Sequence, residues 1–540
     1  MKKLYISILT FLIFFCIGTS GYSQINRTLS TKIADVLAQM PTKNLKHNNA
    51  LMERVLNLKK EGIIQLCDML IPLGTGDDTQ VRYAINSLAI YVGGKNNTVN
   101  KNIVENALLA SIKKSPFHEV KIFLIERLQF CASNASIKKL NDYLYGDKFY
   151  KSSLAVLTSI RSSEAAQAIL DALKESKGNK QAAYITALGE LKYKPAISAL
   201  ENLSNSNSLK IRQSTLKSLA KIASPSSYQT LYNAAKKVAF QPEKSEAVLS
   251  FIYFGMHQNS TKINKKIATA LLKNCSSDSQ LHFRTAGLQL LSRQKEISFT
   301  KRLLKEFKHK NDIYRGSVIE IASENLNSND LLKWSKSFKR TSSMGKIQLL
   351  GALHNNKDAS ILPLFINPAI KNKDKAVRVS GIKALAYQSK NNAFPILFNA
   401  LKNVKSPVEI TAIKESLLRL SSSNDIDRIA NHIEKSNDNG KVVLIELLAA
   451  KRATSKFTQI YALLNNTNKQ VTNAIYKALP SVSNSGHLSK LMMLLNSTDK
   501  QEYIASIQQA ITTVLDQSKG DLSTLVLEAH NRITKKEKLN

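Results

Sequence analysis

The 540-residue sequence is poor in proline and glycine, with 11 and 19 residues respectively, and its β-branched runs are short. Sheets and loop-rich folds depend on those residue types, so their scarcity argues against them and favours an all-α chain. Hydrophobic runs of membrane-spanning length do not occur after residue 17. We therefore expect no transmembrane span beyond the first residues.

Motifs that carry catalysis or hold cofactors are missing. The nine histidines include no His-x-x-x-His pair, and no two cysteines have the spacing of a zinc site. No Gly-x-Ser-x-Gly sequence occurs, which removes the common esterase signal. The stretch from Gly74 to Gly76 lacks the lysine of a phosphate-binding loop, and we interpret it as a turn. The sequence therefore predicts no enzyme activity, no metal and no cofactor.

Acidic residues are few. Asp and Glu number 40 against 77 Lys and Arg, which gives a formal net charge of +37. Such a surface favours anionic partners such as acidic glycans, lipopolysaccharide or an anionic membrane surface. The lysines are scattered, as at Lys262, Lys265 and Lys266, so the plainer interpretation is that they solvate outer helices. Nucleic acid is not an expected partner of an exported chain.

Export is predicted by the N-terminus. Lys2 and Lys3 precede a mostly apolar run over residues 4–17, which has the length of a signal peptide and is short for a membrane span. Small residues at Gly21 and Ser23 fit a signal-peptidase site, which makes Gln24 the new N-terminus. Cys16 raises a lipoprotein alternative, but the bulky Phe15 stands where a small residue is wanted. We expect a periplasmic or secreted protein.

Cysteine is scarce as well. Without the leader only Cys67, Cys131 and Cys275 remain, widely spaced and each in or beside an apolar helical face. Three cysteines cannot form a full disulfide framework. Buried free thiols are the favoured interpretation, and a single disulfide is the alternative.

A repeated pattern is what the sequence does contain, and its clearest copy runs over residues 374–387. Asp374 suits a helix N-cap, and Val377, Ile382 and Leu385 share one apolar face. The small Gly381 lets a neighbouring helix come close.

A shorter helix over residues 360–367 precedes this copy, with Pro363 in its first turn and Pro368 ending it. Such a pair exposes hydrophobic faces that only a stack of pairs covers. Further copies begin near Val81, Val120, Tyr150, Ala182, Lys210, Ser245, Phe283, Tyr314, Lys346, Ile410, Val442, Gln470 and Tyr503. Most starts are about 28–35 residues apart, within or just below the range of two-helix repeats.

The copy at Asp374, Val377 and Arg378 resembles the Asp-x-x-Val-Arg signature of short HEAT repeats. The resemblance covers nearly the whole chain after the leader. It implies an all-α fold, an α-solenoid with a HEAT/armadillo-like superhelix of about 14 helix pairs. The predicted segments are a signal peptide (1–23), an N-terminal helix and hinge (24–49), the solenoid (50–518), and a capping helix with a basic tail (519–540).

A second resemblance begins with the run over residues 30–41, STKIADVLAQMP, which is similar to the opening of a family of large secreted proteins. Residues 123–129 and 187–191 resemble the same family. Its members join a HEAT-repeat half to a C-terminal 3-keto-disaccharide hydrolase domain, a β-sandwich. No strand-rich segment follows the repeats here, so the family's activity and catalytic residues are not carried over.

Five arginines recur near the starts of the predicted inner helices: Arg82, Arg212, Arg284, Arg315 and Arg378. On a concave face they would form a ladder that binds carboxylates or sulfates. The favoured alternative is structural, in which each arginine pairs with an acidic cap of an adjacent repeat and fixes the repeat spacing.

Aromatic residues crowd the region between Pro225 and Arg293, where the repeat pattern loosens. The set comprises Tyr228, Tyr232, Phe240, Phe251, Tyr253 and Phe254. A groove in which rings stack on sugars is one interpretation, and core packing is the favoured one. Trp334, the only tryptophan, is predicted to be half-buried on an outer helix.

The sequence leaves three candidate functions. The leading prediction is an exported, non-catalytic scaffold whose solenoid binds a protein or glycan partner. The alternative is the recognition half of a 3-keto-disaccharide hydrolase system whose catalytic domain is missing or separately encoded. A third is an anionic-surface binder driven by charge alone, whose binding fades as salt rises. The sequence predicts neither the partner nor the oligomeric state.

Overall fold

The computed structural model describes residues 28–94, 97–294, 299–324, 328–353, 361–517 and 527. Within these ranges the regular structure is helical and no strand occurs. The signal peptide over residues 1–23 and Cys16 lie outside the described residues, as does the capping helix apart from Leu527. The chain divides into two compact units, Met1–Gln294 and Lys295–Asn540.

The first unit is a stack of helix pairs. Its helices are α1 (Leu29–Leu37), α2 (Leu45–Leu56), α3 (Lys59–Asp68), α4 (Thr79–Gly93), α5 (Thr98–Lys114), α6 (His118–Leu128), α7 (Asn134–Tyr145), α8 (Tyr150–Ile160), α9 (Ser163–Lys174), α10 (Gly178–Glu190), α11 (Ile197–Leu203), α12 (Leu209–Ile222), α13 (Tyr228–Lys237), α14 (Ala247–His257), α15 (Thr261–Asn274) and α16 (Leu281–Ser292). Each odd-numbered helix packs on the even-numbered helix after it, and successive even-numbered helices pack on one another.

The second unit repeats this arrangement. Its helices are α17 (Phe299–Glu306), α18 (Asp312–Ser323), α19 (Ser328–Arg340), α20 (Ser343–Ala352), α21 (Pro363–Ile370), α22 (Lys375–Leu385), α23 (Lys390–Ala400), α24 (Pro407–Leu420), α25 (Ile426–Ala430), α26 (Asp438–Ala450), α27 (Phe457–Ala462), α28 (Lys469–Val482), α29 (Leu488–Ser497) and α30 (Gln501–Gln517). The even-numbered helices, here called second helices, again contact one another in succession. The predicted all-α solenoid is therefore confirmed.

The copy at Asp374 folds as its sequence predicts. Asp374 caps α22, and its Oδ1 accepts a hydrogen bond of 2.8 Å from the backbone N–H of Ala376. Val377, Ile382 and Leu385 are buried on one face. The prediction for Gly381 is confirmed too, because a Cβ there would lie 2.8 Å from Ala369 Cβ of α21.

The number of pairs differs slightly from the prediction. The thirty described helices form fifteen pairs, eight in the first unit and seven in the second. The additional pair is α1 with α2: the N-terminal helix, predicted outside the solenoid, buries Ile33, Val36 and Leu37, and it packs against α2, α3 and α4. The end of the predicted helix-and-hinge segment (24–49) is itself helical from Leu45 onward.

Pro368 was expected to end its helix but lies inside α21, which continues to Ile370. A proline at this position removes only the hydrogen bond to the carbonyl of Leu364, in the first turn. The prediction was wrong because a proline this close to both helix ends disrupts little.

Candidate binding surfaces

The five recurring arginines hold the loops that precede their own helices. In three of them Nη1 donates to the two carbonyls that lie six and five residues earlier in the chain. The pairs are Arg212 with Ser206 and Asn207 (2.6 and 3.1 Å), Arg315 with His309 and Lys310 (2.8 and 3.0 Å), and Arg378 with Asn372 and Lys373 (2.8 and 2.9 Å). Each of these arginines therefore bridges the backbone at the entrance to a second helix.

Arg82 and Arg284 reach carbonyls further back. Arg82 Nη2 donates to Ile71 O at 2.8 Å, and Arg284 Nη1 donates to Leu272 O at 2.5 Å and to Cys275 O at 3.1 Å. Their guanidinium groups thus hold the backbone at the C-terminal end of the preceding odd-numbered helix, here called a first helix. A ladder of external anions along all five arginines remains a prediction, since most of these donors already have carbonyl acceptors.

Acidic partners of the arginines are of two kinds. Arg82 and Arg315 pair with acids in the first turns or caps of their own helices, Asp78 and Asp312. Arg378 pairs across the stack with Glu409 of α24, at 2.6 Å between Nη2 and Oε1. Of these three pairs only the last links neighbouring repeats in the way the sequence predicted.

An open apolar groove lies on three consecutive second helices of the first unit, α10, α12 and α14. It encloses about 410 Å³. Its apolar wall is Leu249, Tyr253 and Met256 of α14, which are 48%, 39% and 38% exposed. Ser250 lies at the same wall, is almost fully buried, and its Oγ has no hydrogen-bond partner. The groove thus combines exposed hydrophobic side chains with one unused polar atom.

The charges at the rim of the apolar groove are balanced. Lys217 Nζ lies 2.8 Å from Glu246 Oε2, and Lys221 Nζ contacts Glu190 Oε1. Each lysine ammonium has a carboxylate beside it, so the groove has little net charge. An apolar ligand therefore fits it better than an acidic one.

A second surface, the tyrosine surface, lies on the first helices α13 and α15. Tyr228 and Tyr232 stack with ring centroids 5.9 Å apart and planes 9° apart. Lys262, Lys266 and Lys273 line the same open cavity, of about 510 Å³. Lys266 Nζ lies 5.5 Å from the centroid of the Tyr228 ring. Partial burial, and then the neighbouring Tyr232, raise the pKa of Tyr228, which keeps its phenol neutral.

The aromatic residues between Pro225 and Arg293 differ in burial. Phe240, Phe251 and Phe254 are fully buried, which confirms core packing for them. Tyr228 and Tyr232 stay partly exposed on the tyrosine surface, and Tyr253 lies in the apolar groove.

Trp334 is 1% exposed, so the expectation of a half-buried residue was wrong. Its ring packs edge-on against Phe307 between α17 and α19, with centroids 5.2 Å apart.

The described residues contain no cluster of three or more His, Cys, Asp or Glu side chains that would hold a metal ion. Cys67, Cys131 and Cys275 are buried free thiols. Within the same ranges no helix combines the length and apolar character that crossing a bilayer needs.

Sequence reasoning missed the apolar groove. Leu249, Tyr253 and Met256 lie in a helix that is apolar on nearly every side, from Ala247 to Met256, and such a helix is normally interpreted as core. The sequence signal that could have revealed the groove is this apolar composition on nearly every side of α14. A solenoid helix packs only part of its circumference, so a helix apolar all round leaves one face uncovered.

Comparison with known proteins gives a likeness of the fold. No family model and no curated protein sequence matches the chain. Among solved structures, yeast importin-beta (Kap95p) is 12% identical with a TM-score of 0.45, covering 94% of this chain and 80% of that one. Kap121p is 11% identical with a TM-score of 0.38, covering 93% of this chain and 75% of that one. A likeness at this level says nothing about what this chain binds.

Proposed function

We propose that the chain is an exported, non-catalytic binding scaffold whose apolar groove takes an apolar side chain of a protein partner. The observation that carries this proposal is the exposed wall of Leu249, Tyr253 and Met256 on α14. A contiguous exposed apolar patch with a polar rim is typical of a protein interaction site.

The residues of the apolar groove limit which kinds of partner fit it. Its two lysines are already paired with glutamates, so an acidic ligand would find little uncompensated positive charge there. Burial of one large apolar side chain contributes about 1.5–3 kcal/mol, and the volume accepts one or two such anchors. Ser250 at the same wall has a hydroxyl without a partner, which a main-chain amide or carbonyl of the bound segment would satisfy. A short protein segment with apolar anchors meets all three conditions.

Panning of the full mature chain against a random peptide phage library tests this function. We expect enrichment of peptides that carry one or two large apolar residues, and loss of their binding in Leu249→Asp. The matched control is Val99→Asp, because Val99 is exposed near the start of α5, where an acidic residue suits the helix dipole. Failure to enrich any such peptide, or equal binding by Leu249→Asp, contradicts the proposal. So does glycan hydrolysis by the purified chain.

Export is a separate part of the proposal, supported by the basic start, the apolar run and the small residues before Gln24. N-terminal sequencing of the protein from its native cells is expected to begin at Gln24. A lipidated N-terminus at Cys16 would establish the lipoprotein alternative instead. An N-terminus at Met1 would contradict export.

The tyrosine surface supports a second candidate function, binding of an acidic glycan. Parallel aromatic rings suit the apolar faces of sugars, and the neighbouring lysines suit their carboxylates. Titration with alginate, a polyuronate, is expected to show binding that weakens in Tyr232→Ala, while the neutral polysaccharide dextran does not bind. Binding that disappears with salt and is unchanged in Tyr232→Ala would favour attraction by charge alone.

This second candidate includes the possibility, raised by the run at residues 30–41, that the chain is the recognition half of a 3-keto-disaccharide hydrolase system. The DNA beside its gene tests that relation. A neighbouring gene for a β-sandwich hydrolase supports it, and its absence argues against it.

A further inference from the structure

A basic cavity lies between two consecutive loops of the second unit. The first loop connects α17 to α18 and contributes Lys308 and Lys310; the second connects α19 to α20. Lys336 and Arg340 at the end of α19 complete the basic wall, and the cavity encloses about 500 Å³. None of the described residues that line it is acidic. The cavity therefore collects positive charge from two neighbouring repeats.

Arg315 forms the buried part of this wall, with a side chain that is 7% exposed. Its Nη1 donates to the carbonyls of His309 and Lys310, and its Nη2 donates to Asp312 Oδ1 and, at 3.4 Å, to Ser342 Oγ. Its Nε is buried and has no acceptor. Buried N–H groups nearly always have a partner, so an unpartnered one calls for an explanation, and binding of a ligand is one.

An arginine at the equivalent position, Arg378, occurs two repeats later in α22. Its Nε has a partner. Arg315 lies four residues after Asn311, the N-cap of α18, and Arg378 lies four residues after Asp374, the N-cap of α22. Both donate Nη1 to the carbonyls six and five residues earlier. Arg378 Nε, however, donates to Glu409 Oε1 at 3.0 Å.

One difference between the two repeats lies on the second helix that follows each arginine. Glu409 lies three residues after Ser406, the N-cap of α24. The residue at the same position of α20, three after its N-cap Ser342, is Gly345. The carboxylate that accepts from Arg378 Nε thus has no counterpart at residue 345, and Arg315 lines the basic cavity.

The N-terminus of α20 adds to the positive field at this point. The helix begins directly after Ser342, which lines the cavity, and its first-turn N–H groups carry partial positive charge. Among the described residues, Asp312 is the carboxylate in contact with Arg315, and it offsets one of the five cations of the wall. The remaining charge is positive.

We propose that the basic cavity binds a phosphate or sulfate group, which supplies to Arg315 the acceptor that Glu409 supplies to Arg378. A tetrahedral oxyanion presents several acceptors at once, as required by a guanidinium, a helix N-terminus and flanking ammonium groups that converge from different sides. The site is separate from the apolar groove and does not depend on the proposed protein partner.

Calorimetric titration of the full mature chain with inorganic phosphate, at constant ionic strength set with chloride, tests the site. We expect saturable binding that falls by about tenfold or more in Lys336→Gln/Arg340→Gln. The control Lys305→Gln/Lys339→Gln removes the same charge from exposed residues outside the cavity and should bind nearly as wild type. Absence of saturable binding, or an equal loss in both double variants, overturns the proposal.

A second pair of variants tests the role of the missing carboxylate. Gly345→Glu introduces an internal acceptor for Arg315, whereas Gly345→Ala adds the same Cβ, which meets Thr341 Oγ1 in either case. We expect phosphate binding to be kept in Gly345→Ala and lost in Gly345→Glu. Equal binding by two folded variants contradicts the assignment. If neither folds, the charge variants decide alone.

Comparison of inorganic phosphate, inorganic sulfate and glucose 6-phosphate distinguishes the source of the group. Tighter binding of the sugar ester indicates that the natural ligand carries the group on a larger molecule. Equal or weaker binding of the ester indicates the free ion. Both outcomes presuppose a site in the cavity, and both must be sensitive to Lys336→Gln/Arg340→Gln.

Discussion

Arg378 and Glu409 join two adjacent repeats of the second unit through a forked contact. Arg378 donates to the same oxygen, Glu409 Oε1, from Nε at 3.0 Å and from Nη2 at 2.6 Å. Both side chains are largely buried, at 28% and 16% exposure. Because the other guanidinium nitrogen holds the loop before α22, this one side chain fixes both the loop and the next repeat.

We expect Glu409→Gln to lower the free energy of unfolding by about 1–2 kcal/mol, because a largely buried, charge-assisted contact is replaced by a neutral one. Glu415→Gln is the matched control on the same helix. Glu415 pairs with Lys383 at 3.4 Å, both side chains are more than half exposed, and such pairs contribute little. Guanidinium unfolding followed by circular dichroism measures the difference, and equal shifts would contradict the role of Arg378.

Gly440 lies where α26 passes the end of α23. A Cβ at residue 440 would overlap the carbonyl oxygen of Leu401, which already accepts a hydrogen bond of 3.2 Å from the N–H of Asn437. We expect Gly440→Ala to destabilise the fold by about 1–3 kcal/mol, because backbone has to move. Gly316→Ala in α18 meets only Gln348 Nε2 at 3.5 Å, so higher helix propensity should stabilise it by up to about 1 kcal/mol. If Gly440→Ala and Gly316→Ala shift the thermal midpoint in the same direction, the close approach of the Leu401 backbone is not the reason for glycine at residue 440.

The three described cysteines are expected to be unreactive in the folded chain. Burial raises the pKa of the Cys67 and Cys131 thiols to about 12 and that of Cys275 to about 11. The reactive thiolate is therefore rare at neutral pH. Ellman's reagent should react slowly with the native chain and with all three thiols after unfolding, while an added surface cysteine, Ser279→Cys, reacts at once. A disulfide-linked peptide in a non-reducing digest would favour the alternative of one bridge.

His487 makes the stability of the second unit depend on pH. Burial, and then the neighbouring Lys490, lower the pKa of His487 from 6.5. Its neutral Nδ1 accepts a hydrogen bond of 3.1 Å from the N–H of Asn484, and its ring stacks on Phe457. Since the folded pKa lies below the unfolded value, this contribution is fully present above the unfolded pKa and is lost as pH falls through it toward the folded pKa.

We expect the thermal midpoint of the wild type to fall more between about pH 7.5 and pH 5 than that of His487→Gln. Glutamine keeps a capping acceptor at this position and does not titrate. His47→Gln, at an exposed residue of α2, is the control and should keep the pH dependence of the wild type. Parallel curves for wild type and His487→Gln would show that another group is responsible.

The repeat pattern could be predicted because it rests on local physics. Helical spacing of Val377, Ile382 and Leu385, an N-cap at Asp374 and a small residue at Gly381 each depend on a few neighbouring residues, and all five behave as predicted.

The candidate sites could not be predicted in the same way, because each combines residues about thirty positions apart. Gly345 stands in α20 where Glu409 stands in α24, and this correspondence becomes visible only when the capping register of the helices is known. The apolar groove likewise needed the exposure of Leu249 and Met256, which the composition of α14 alone suggests to be buried.

The nearest-neighbour packing of helix pairs has an evolutionary consequence. Within each unit a second helix contacts the second helices before and after it, so a whole pair can be duplicated or deleted while the junctions on either side keep their chemistry. The length of such a protein can change in steps of one pair. A ligand site built from two adjacent loops, as at Arg315, would then be copied, moved or erased as a single cassette.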